Sequence, residues 1–195
     1  MSNKRKTFTL IIGANGSGKT TLVRNILGDG FVVRRGVDAR HCHTESADGR
    51  IAACGKYDIT CGGGDSLGCT KDMFDMAKGL LRSGAFDSVI LESMMFSTIV
   101  NKPLRHMLEY REWGVDVELL FLMCGSRECV RRVIQRSGRM PDAEKIREKI
   151  RGMNRIYALH RRIALFNVMA FDVSAMSPEE VFDEFRRRSY IYAGK

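Results

Sequence analysis

Short apolar runs alternate along the chain with stretches whose apolar residues recur at helical spacing. FTLII (8–12) reads as a buried strand that passes at once into a glycine-rich turn and a helix through about residue 27, stopped by Gly28, Asp29 and Gly30. FVV (31–33) predicts a second short strand, and residues 51–60 an extended hairpin. Met73, Met76, Ala77, Leu80 and Leu81 share one face of a helix that Thr70 would cap. SVILE (88–92) is the next predicted strand, followed by a helix around 102–112. VELLFLM (117–123) is another, with Ser126 capping the helix after it. From about 143 a long amphipathic helix buries Ile146, Ile150, Met153 and Tyr157, and VMAFDV (168–173) is the last strand. In SPEE (177–180), Ser177 is the expected cap of a final helix, Pro178 its first turn and Glu180 the partner in a capping box. This alternation implies an α/β fold with a central parallel sheet covered on both faces. No repeat, proline-rich linker or low-complexity tract interrupts it, so residues 1–195 are expected to form one domain.

Charge changes the picture through its distribution. Between Arg127 and Arg162 stand twelve basic and four acidic residues, so that segment holds +8 of the chain's +9. A basic region this concentrated points to a phosphate-rich partner, a nucleotide or a nucleic acid. The six cysteines show no C-x-x-C spacing, the basic N-terminus lacks the apolar core of a signal peptide, and no apolar run is long enough to cross a bilayer. The expectation is a cytoplasmic protein with free thiols and no membrane partner.

The motif that decides the chemistry is GANGSGKT (13–20), which fits G-x-x-x-x-G-K-[ST] directly after an apolar strand and at the start of a helix. Its glycines let backbone N–H groups surround a phosphate, and the helix points its positive end at the same anion. Gly13, Ala14, Asn15, Gly16, Ser17, Gly18, Lys19, Thr20 and the adjoining Thr21 are therefore the expected nucleotide-binding residues. Lys19 would reach the β- and γ-phosphates, and the Thr20 hydroxyl would ligate Mg²⁺. GTPases need an N-K-x-D motif to read the base, but NKPL (101–104) has leucine where that aspartate belongs. ABC-type ATPases and oligomeric motors need further signatures and more chain. A small domain with the single Glu92 closing a core strand looks like a P-loop kinase, with ATP and Mg²⁺ as its cofactors.

Phosphoryl transfer is mostly positioning and charge neutralisation, so cations are expected around the γ-phosphate and a carboxylate near the acceptor. RRVIQRSGR places Arg132 and Arg136 four apart on one helical face with Arg139 just beyond, and resembles the R-x-x-x-R lid of small-molecule and polynucleotide kinases. The lid is expected around 126–140. Three carboxylates compete for the acceptor side. Asp38 follows the second strand near where polynucleotide-kinase-like enzymes keep the aspartate that accepts the hydroxyl proton. Asp65 lies in a glycine-rich loop, and Glu92 at a strand end is suited to Mg²⁺ or the acceptor. Asp38 as base and Asp65 as acceptor contact is the preferred assignment, with the reverse open.

The loop CGGGDSLGC (61–69) has three possible clients. His41, His43, Cys54, Cys61 and Cys69 match no compact zinc module in their spacing. The nucleotide phosphates already have the P-loop. The acceptor remains: Gly62, Gly63 and Gly64 would admit a flat or bulky group, and Tyr57 would stack on a base or else pack in the core.

GKYDITCGGGDS together with LESMMFST resembles phage-encoded P-loop kinases, in which a Gly-Lys-Tyr segment leads to a Gly-Gly-x-Asp-Ser/Thr turn and a strand ends in glutamate. That group includes kinases of 5-hydroxymethyluracil in phage DNA, a step toward hypermodified thymidines, and the likeness to polynucleotide kinases is more distant. The resemblance implies a DNA acceptor in the host cytoplasm. It departs at Gly64, where a cysteine is expected. Arg147, Arg151 and Arg155 recur every four residues on the basic helix of 143–166, a stripe suited to a DNA backbone. A base modified within DNA would leave the stack to reach the γ-phosphate. Helix solubility and pairs such as Glu144–Arg147 and Glu148–Arg151 are the plainer account of the stripe.

Overall fold

Seven strands form one sheet in the computed structural model, which describes residues 5–36, 42–59 and 63–193. In chain order they are β1 (Thr7–Gly13), β2 (Val32–Arg35), β3 (Cys42–Glu45), β4 (Ile51–Cys54), β5 (Ser88–Ser93), β6 (Asp116–Met123) and β7 (Asn167–Asp172). The helices are α1 (Lys19–Leu27), α2 (Thr70–Ser83), α3 (Asn101–Glu112), α4 (Ser126–Ser137), α5 (Ala143–Ile163) and α6 (Pro178–Arg188). The spatial order is β2-β3-β4-β5-β1-β6-β7.

From β4 to β7 every pairing is parallel, but β2–β3 and β3–β4 are antiparallel, so the expected all-parallel sheet carries an antiparallel extension at one edge. The predicted hairpin over 51–60 is displaced: β4 pairs backward with β3, and residue 54 already ends the strand. In β3, Cys42 and Thr44 are buried while His43 and Glu45 face outward, an alternation that its polar residues conceal. At the edge, β2 is mostly exposed and its Arg34 pairs with Glu45 at 3.0 Å. Charged side chains there discourage a further strand from adding.

Alternation along β1 divides the core between the sheet's two faces. Phe8, Leu10 and Ile12 pack with Met73, Phe74 and Ala77 of α2, Met107 and Tyr110 of α3, and Met153 and Ile156 of α5. Ile11, on the opposite face, packs with Leu22, Val23 and Ile26 of α1 and with Val181 and Phe185 of α6. Burying each such side chain contributes about 1.5–3 kcal/mol, so β1 is held from both sides. On α5, Ile146 and Met153 are buried as expected, Ile150 and Tyr157 are half-buried, and Ile156 and His160 complete the face.

Two predicted caps are corrected. Thr70 is the first residue of α2, behind Cys69, and Ser126 is the first of α4, behind Gly125, and neither end has a side-chain capping bond. Asp142 caps α5 through the Glu144 and Lys145 N–H groups. The box at Ser177 forms as read, with Ser177 Oγ accepting from Glu180 N at 3.2 Å and Glu180 Oε2 accepting from Ser177 N at 2.7 Å. No helix among the described residues is long and apolar enough to cross a membrane.

Glu118 is an acid inside the apolar run of β6. Fully buried, it accepts from Thr9 Oγ1 (2.9 Å), Ser189 Oγ (2.7 Å), Tyr190 N (2.5 Å) and Asn167 Nδ2 (3.2 Å). Burial raises its carboxyl above the usual range, against those donors. It ties the segment after α6 to β6, and through Thr9 and Asn167 to the strands on either side. Glu118→Ala, which orphans buried donors, is expected to lower stability by about 2–4 kcal/mol in urea unfolding.

Candidate active site

At the C-terminal edge of the sheet, where open α/β sheets bind ligands, β1 turns into the P-loop beside the end of β5. The loop closes on α4: Gly16 has a positive φ of 82°, and a Cβ there would stand 2.5 Å from the Cys129 carbonyl. Ser17 N donates to Ala14 O at 3.2 Å, and Gly18 leads into Lys19, the first residue of α1. Lys19 is 7% exposed and donates to Gly13 O at 2.9 Å and Ala14 O at 3.2 Å, so its ammonium lies over the loop that precedes it.

Parallel register places Glu92 of β5 opposite Ile11, and Thr20 Oγ1 donates to Glu92 Oε1 at 3.0 Å. Glu92 is 1% exposed. Burial pushes its carboxyl up to about 7, Asp65 adds to that, and Lys19, Thr20 and Arg136 oppose it. Thr20 and Glu92 together present hard oxygen donors at the phosphate end of the loop, and a cation there would favour the ionised carboxylate. This donor set fits Mg²⁺.

The glycine-rich loop packs on the same carboxylate. Gly63 has φ 85°, and a Cβ on it would overlap Glu92 Oε1, while one on Gly64 would overlap the Glu92 carbonyl. These glycines approach Glu92, not an open space for a flat acceptor, and Gly62 lies outside the described residues. Ser66 Oγ donates to Gly63 O at 2.7 Å and accepts from Lys56 N at 3.1 Å, which closes the turn. Asp65 is exposed, and its Oδ1 accepts from Ser93 Oγ at 2.6 Å, next to Glu92.

Two cavities flank the P-loop. One, of about 300 Å³, is lined by Asn15, Gly16, Gly18, Lys19, Thr20, Thr21, Asp65, Glu92, Met94 and Arg136. The other, of about 350 Å³, lies between the P-loop, the arginine face of α4 and the segment after β7, with Val173, Met176, Pro178 and Val181 as its apolar wall. Arg136 borders both. Arg132 borders only the second and is anchored at both ends: its Nε donates to Glu128 Oε1 at 2.6 Å and its Nη2 to Val173 O at 2.8 Å. Glu128, held by Arg131 and Arg132, has its carboxyl depressed to about 2. Arg139 lies beyond the Gly138 cap and lines neither cavity, so of the three arginines expected to form a lid only Arg136 faces the first.

The fold has counterparts among solved structures. A deoxyadenosine kinase from M. mycoides with dCMP and dCDP aligns over 93% of this chain and 97% of that one, at 12% identity and a TM-score of 0.51. A gluconokinase from Sinorhizobium meliloti aligns over 97% of this chain and 98% of that one, at 13% identity and a TM-score of 0.51. The chain has the P-loop kinase fold. No protein-family model and no curated protein sequence matches it.

Asp38 lies outside the described residues, so Asp65 and Glu92 are the described carboxylates at the first cavity. Of the two readings of Tyr57, packing is the one the structure supports: the side chain is fully buried, and its hydroxyl has no partner among the described residues. Tyr57→Phe, which deletes this orphan, is expected to raise stability by about 1 kcal/mol in urea unfolding. Its carbonyl is held by Arg24 Nε at 2.9 Å, and that of Ile59 by Arg24 Nη2 at 2.6 Å. Arg24 thus fastens the segment before the glycine loop to the P-loop helix, a role no motif marks.

Of the five zinc candidates whose spacing matched no module, His41 and Cys61 lie outside the described residues, and His43 pairs with Glu45 at 3.0 Å. No group of three or more metal-ligating side chains occurs among the described residues. The NKPL stretch lies in α3. On α5, Arg147 and Arg151 both pair with Glu144, replacing the expected Glu148–Arg151 pair, while Arg155 is exposed and has no ion-pair partner among the described residues.

Proposed function

We propose that the chain is an ATP-dependent phosphotransferase acting on a hydroxyl. The observation that carries this reading is the shared cavity of Lys19, Thr20, Glu92, Asp65 and Arg136, which joins a phosphate cradle to two carboxylates. Lys19 and Arg136 neutralise charge on the γ-phosphoryl group as it moves. Thr20 and Glu92 would hold Mg²⁺, which supplies further neutralisation of the phosphate oxygens when bound. Asp65, the exposed carboxylate, orients the acceptor hydroxyl and takes its proton, while the acceptor oxygen bonds to the γ-phosphorus and the bond to the β-phosphate oxygen breaks. The apolar wall of the second cavity suits the adenine ring, with Arg132 as a fixed strut beside it.

For the acceptor, we propose 5-hydroxymethyluracil in DNA, on the resemblance of GKYDITCGGGDS and LESMMFST and on the exposed Arg155 of the basic helix, which has no ion-pair partner among the described residues. A second reading, a free nucleoside or nucleotide as acceptor, is favoured by the shared fold of the deoxyadenosine kinase. The test is incubation with γ-labelled ATP and Mg²⁺ and a panel of thymine DNA, hydroxymethyluracil DNA, nucleosides and monophosphates. Label confined to hydroxymethyluracil DNA is the expected result. Label in monomers alone replaces the acceptor with the second reading. ADP released with no labelled acceptor overturns the assignment for these acceptors and makes the chain a nucleotide-dependent switch.

A further inference from the structure

At the end of the sheet opposite the P-loop, Arg5, Lys6, Arg82 and Trp113 line an open cavity of about 670 Å³, with Leu81 and Val115 as its apolar part. Arg5 and Lys6 precede β1, Leu81 and Arg82 lie near the C-terminal end of α2, and Trp113 closes α3 just ahead of β6. The seven residues of β1 run from this end to the P-loop, so the two sites stand roughly 20 Å apart at the ordinary rise of a strand. None of the side chains that line the cavity is acidic.

Backbone hydrogen bonds fix the walls. Asp116 N donates to Lys6 O at 2.8 Å, Val115 N to Tyr110 O at 3.1 Å, and Thr7 N to Asp87 O at 2.9 Å. Lys6 Nζ donates to Leu81 O at 2.6 Å, which holds the segment before β1 against α2 and leaves the ammonium two further donors. Trp113 is half-buried with its ring 5.4 Å from that of Tyr110, and the Arg82 guanidinium lies over the indole, 4.4 Å from its centre. The indole is thereby held in place with a flat cation above it.

The cations of this cavity are largely unneutralised. Lys78 also lies over the indole, at 5.3 Å, but it is paired with Glu109 and lines no part of the cavity. Arg5 is 76% exposed and meets Asp116 only at 3.5 Å. Arg82 and Lys6 have no ion-pair partner among the described residues. A cation at the end of α2 complements the helix dipole wherever it points, which does not account for three cations and an indole around one cavity. Together they match a ligand with a flat ring at one end and a phosphate at the other. Guanidinium and indole planes stack on bases, and ammonium and guanidinium donors hold phosphate oxygens. The volume suits one nucleotide.

We infer that this cavity is a second nucleoside-phosphate site, in which a base stacks on the Arg82–Trp113 pair and its phosphate is bound by Lys6 and Arg5. The nucleotide is either free or part of an unpaired nucleic-acid strand, and the same chemistry serves both. Neither the P-loop nor the phosphoryl acceptor enters this site, so its occupancy is independent of the kinase reading.

Trp113 is the only tryptophan in the chain, so its fluorescence reports the site directly. The test titrates the protein, without Mg²⁺, with thymidine monophosphate and with a single-stranded thymidine oligomer, using inorganic phosphate and polyglutamate as competitors. The expected result is saturable quenching by the monophosphate or the strand, unchanged in Lys19→Met, which removes the P-loop cation. Lys6→Gln and Arg82→Gln should each weaken that binding by at least about tenfold, the loss expected of one charge-assisted contact. Arg5→Gln, which disturbs only an exposed pair, should weaken it about threefold, and a melt by circular dichroism separates lost binding from lost fold. Tighter binding of the oligomer per nucleotide, with the steeper salt dependence, assigns the site to a strand, and equal affinity assigns it to a free nucleotide. The inference is overturned by no quenching, by quenching that Lys19→Met abolishes, or by affinity unmoved in all three cavity variants. Competition by phosphate or polyglutamate as strong as by the nucleotides overturns it too, and leaves only a cationic patch.

Discussion

Lys19→Met should lower phosphoryl transfer by at least about a thousandfold while leaving the protein folded. The lysine is the first residue of α1, 7% exposed, with its ammonium over the P-loop carbonyls of Gly13 and Ala14. If the loop holds a nucleotide as proposed, the same ammonium would serve the β- and γ-phosphate oxygens. Charge developing in a buried phosphate site has little water to screen it, so a fixed cation there lowers the barrier by several kcal/mol. Methionine keeps the side chain's apolar stem and removes only the charge. The cost to folding is small because Glu92, relieved of the opposing Lys19 field, can remain protonated at neutral pH. Transfer of label from γ-labelled ATP and a thermal melt by circular dichroism check both halves. Transfer within tenfold of the wild type would remove Lys19 from the chemistry and with it the reading of the first cavity.

Legibility in the sequence follows from how local each feature is. The P-loop was readable because its whole geometry is encoded in contiguous residues, 13–20, between a strand and a helix. The Ser177 box was readable for the same reason. Features that depend on distant residues were not. Gly63 serves Glu92, twenty-nine residues later, and the sequence offered only an unexplained run of glycines. Arg24 belongs to no motif, and its role depends on the carbonyls of Tyr57 and Ile59, more than thirty residues away. The arginines of α4 were recognisable as a group, but their division of labour was not, because Glu128 and the Val173 carbonyl determine which one is anchored. Strand β3 was missed because Cys-His-Thr-Glu carries its alternation in residues of moderate polarity, and Glu118 because an apolar run gave no sign of the donors waiting for it. Asp38 was proposed from its place in the chain, and it lies outside the described residues.

Glu92→Gln should separate what the site needs from what the fold prefers. Glutamine retains an oxygen to accept the Thr20 hydroxyl, but it cannot offer Mg²⁺ a charge, and activity is expected to fall by about a hundredfold to a thousandfold. Stability should move the other way. Burial places the folded-state carboxyl at about 7, against about 4.5 for an unperturbed one, so between those values the folded protein holds a proton that the unfolded chain has lost. Ionisation therefore costs nothing below about pH 4.5, destabilises the fold progressively as pH rises to 7, and is fully in force above that, to an upper limit on the order of 3 kcal/mol. In EDTA and without nucleotide, Glu92→Gln should melt several degrees above the wild type at pH 8, and the two should converge near pH 5. Adding Mg²⁺ and ATP at pH 8 should stabilise the wild type more than the variant, because only the wild type gains a counter-charge for a carboxylate that is already ionised. Parallel melting curves across this pH range would mean that Glu92 carries no burial penalty, and the link between its desolvation and the cation would fail. A stabilised but inactive variant would identify Glu92 as a residue kept against the preference of the fold, which is what a buried acid at a phosphate site is expected to be.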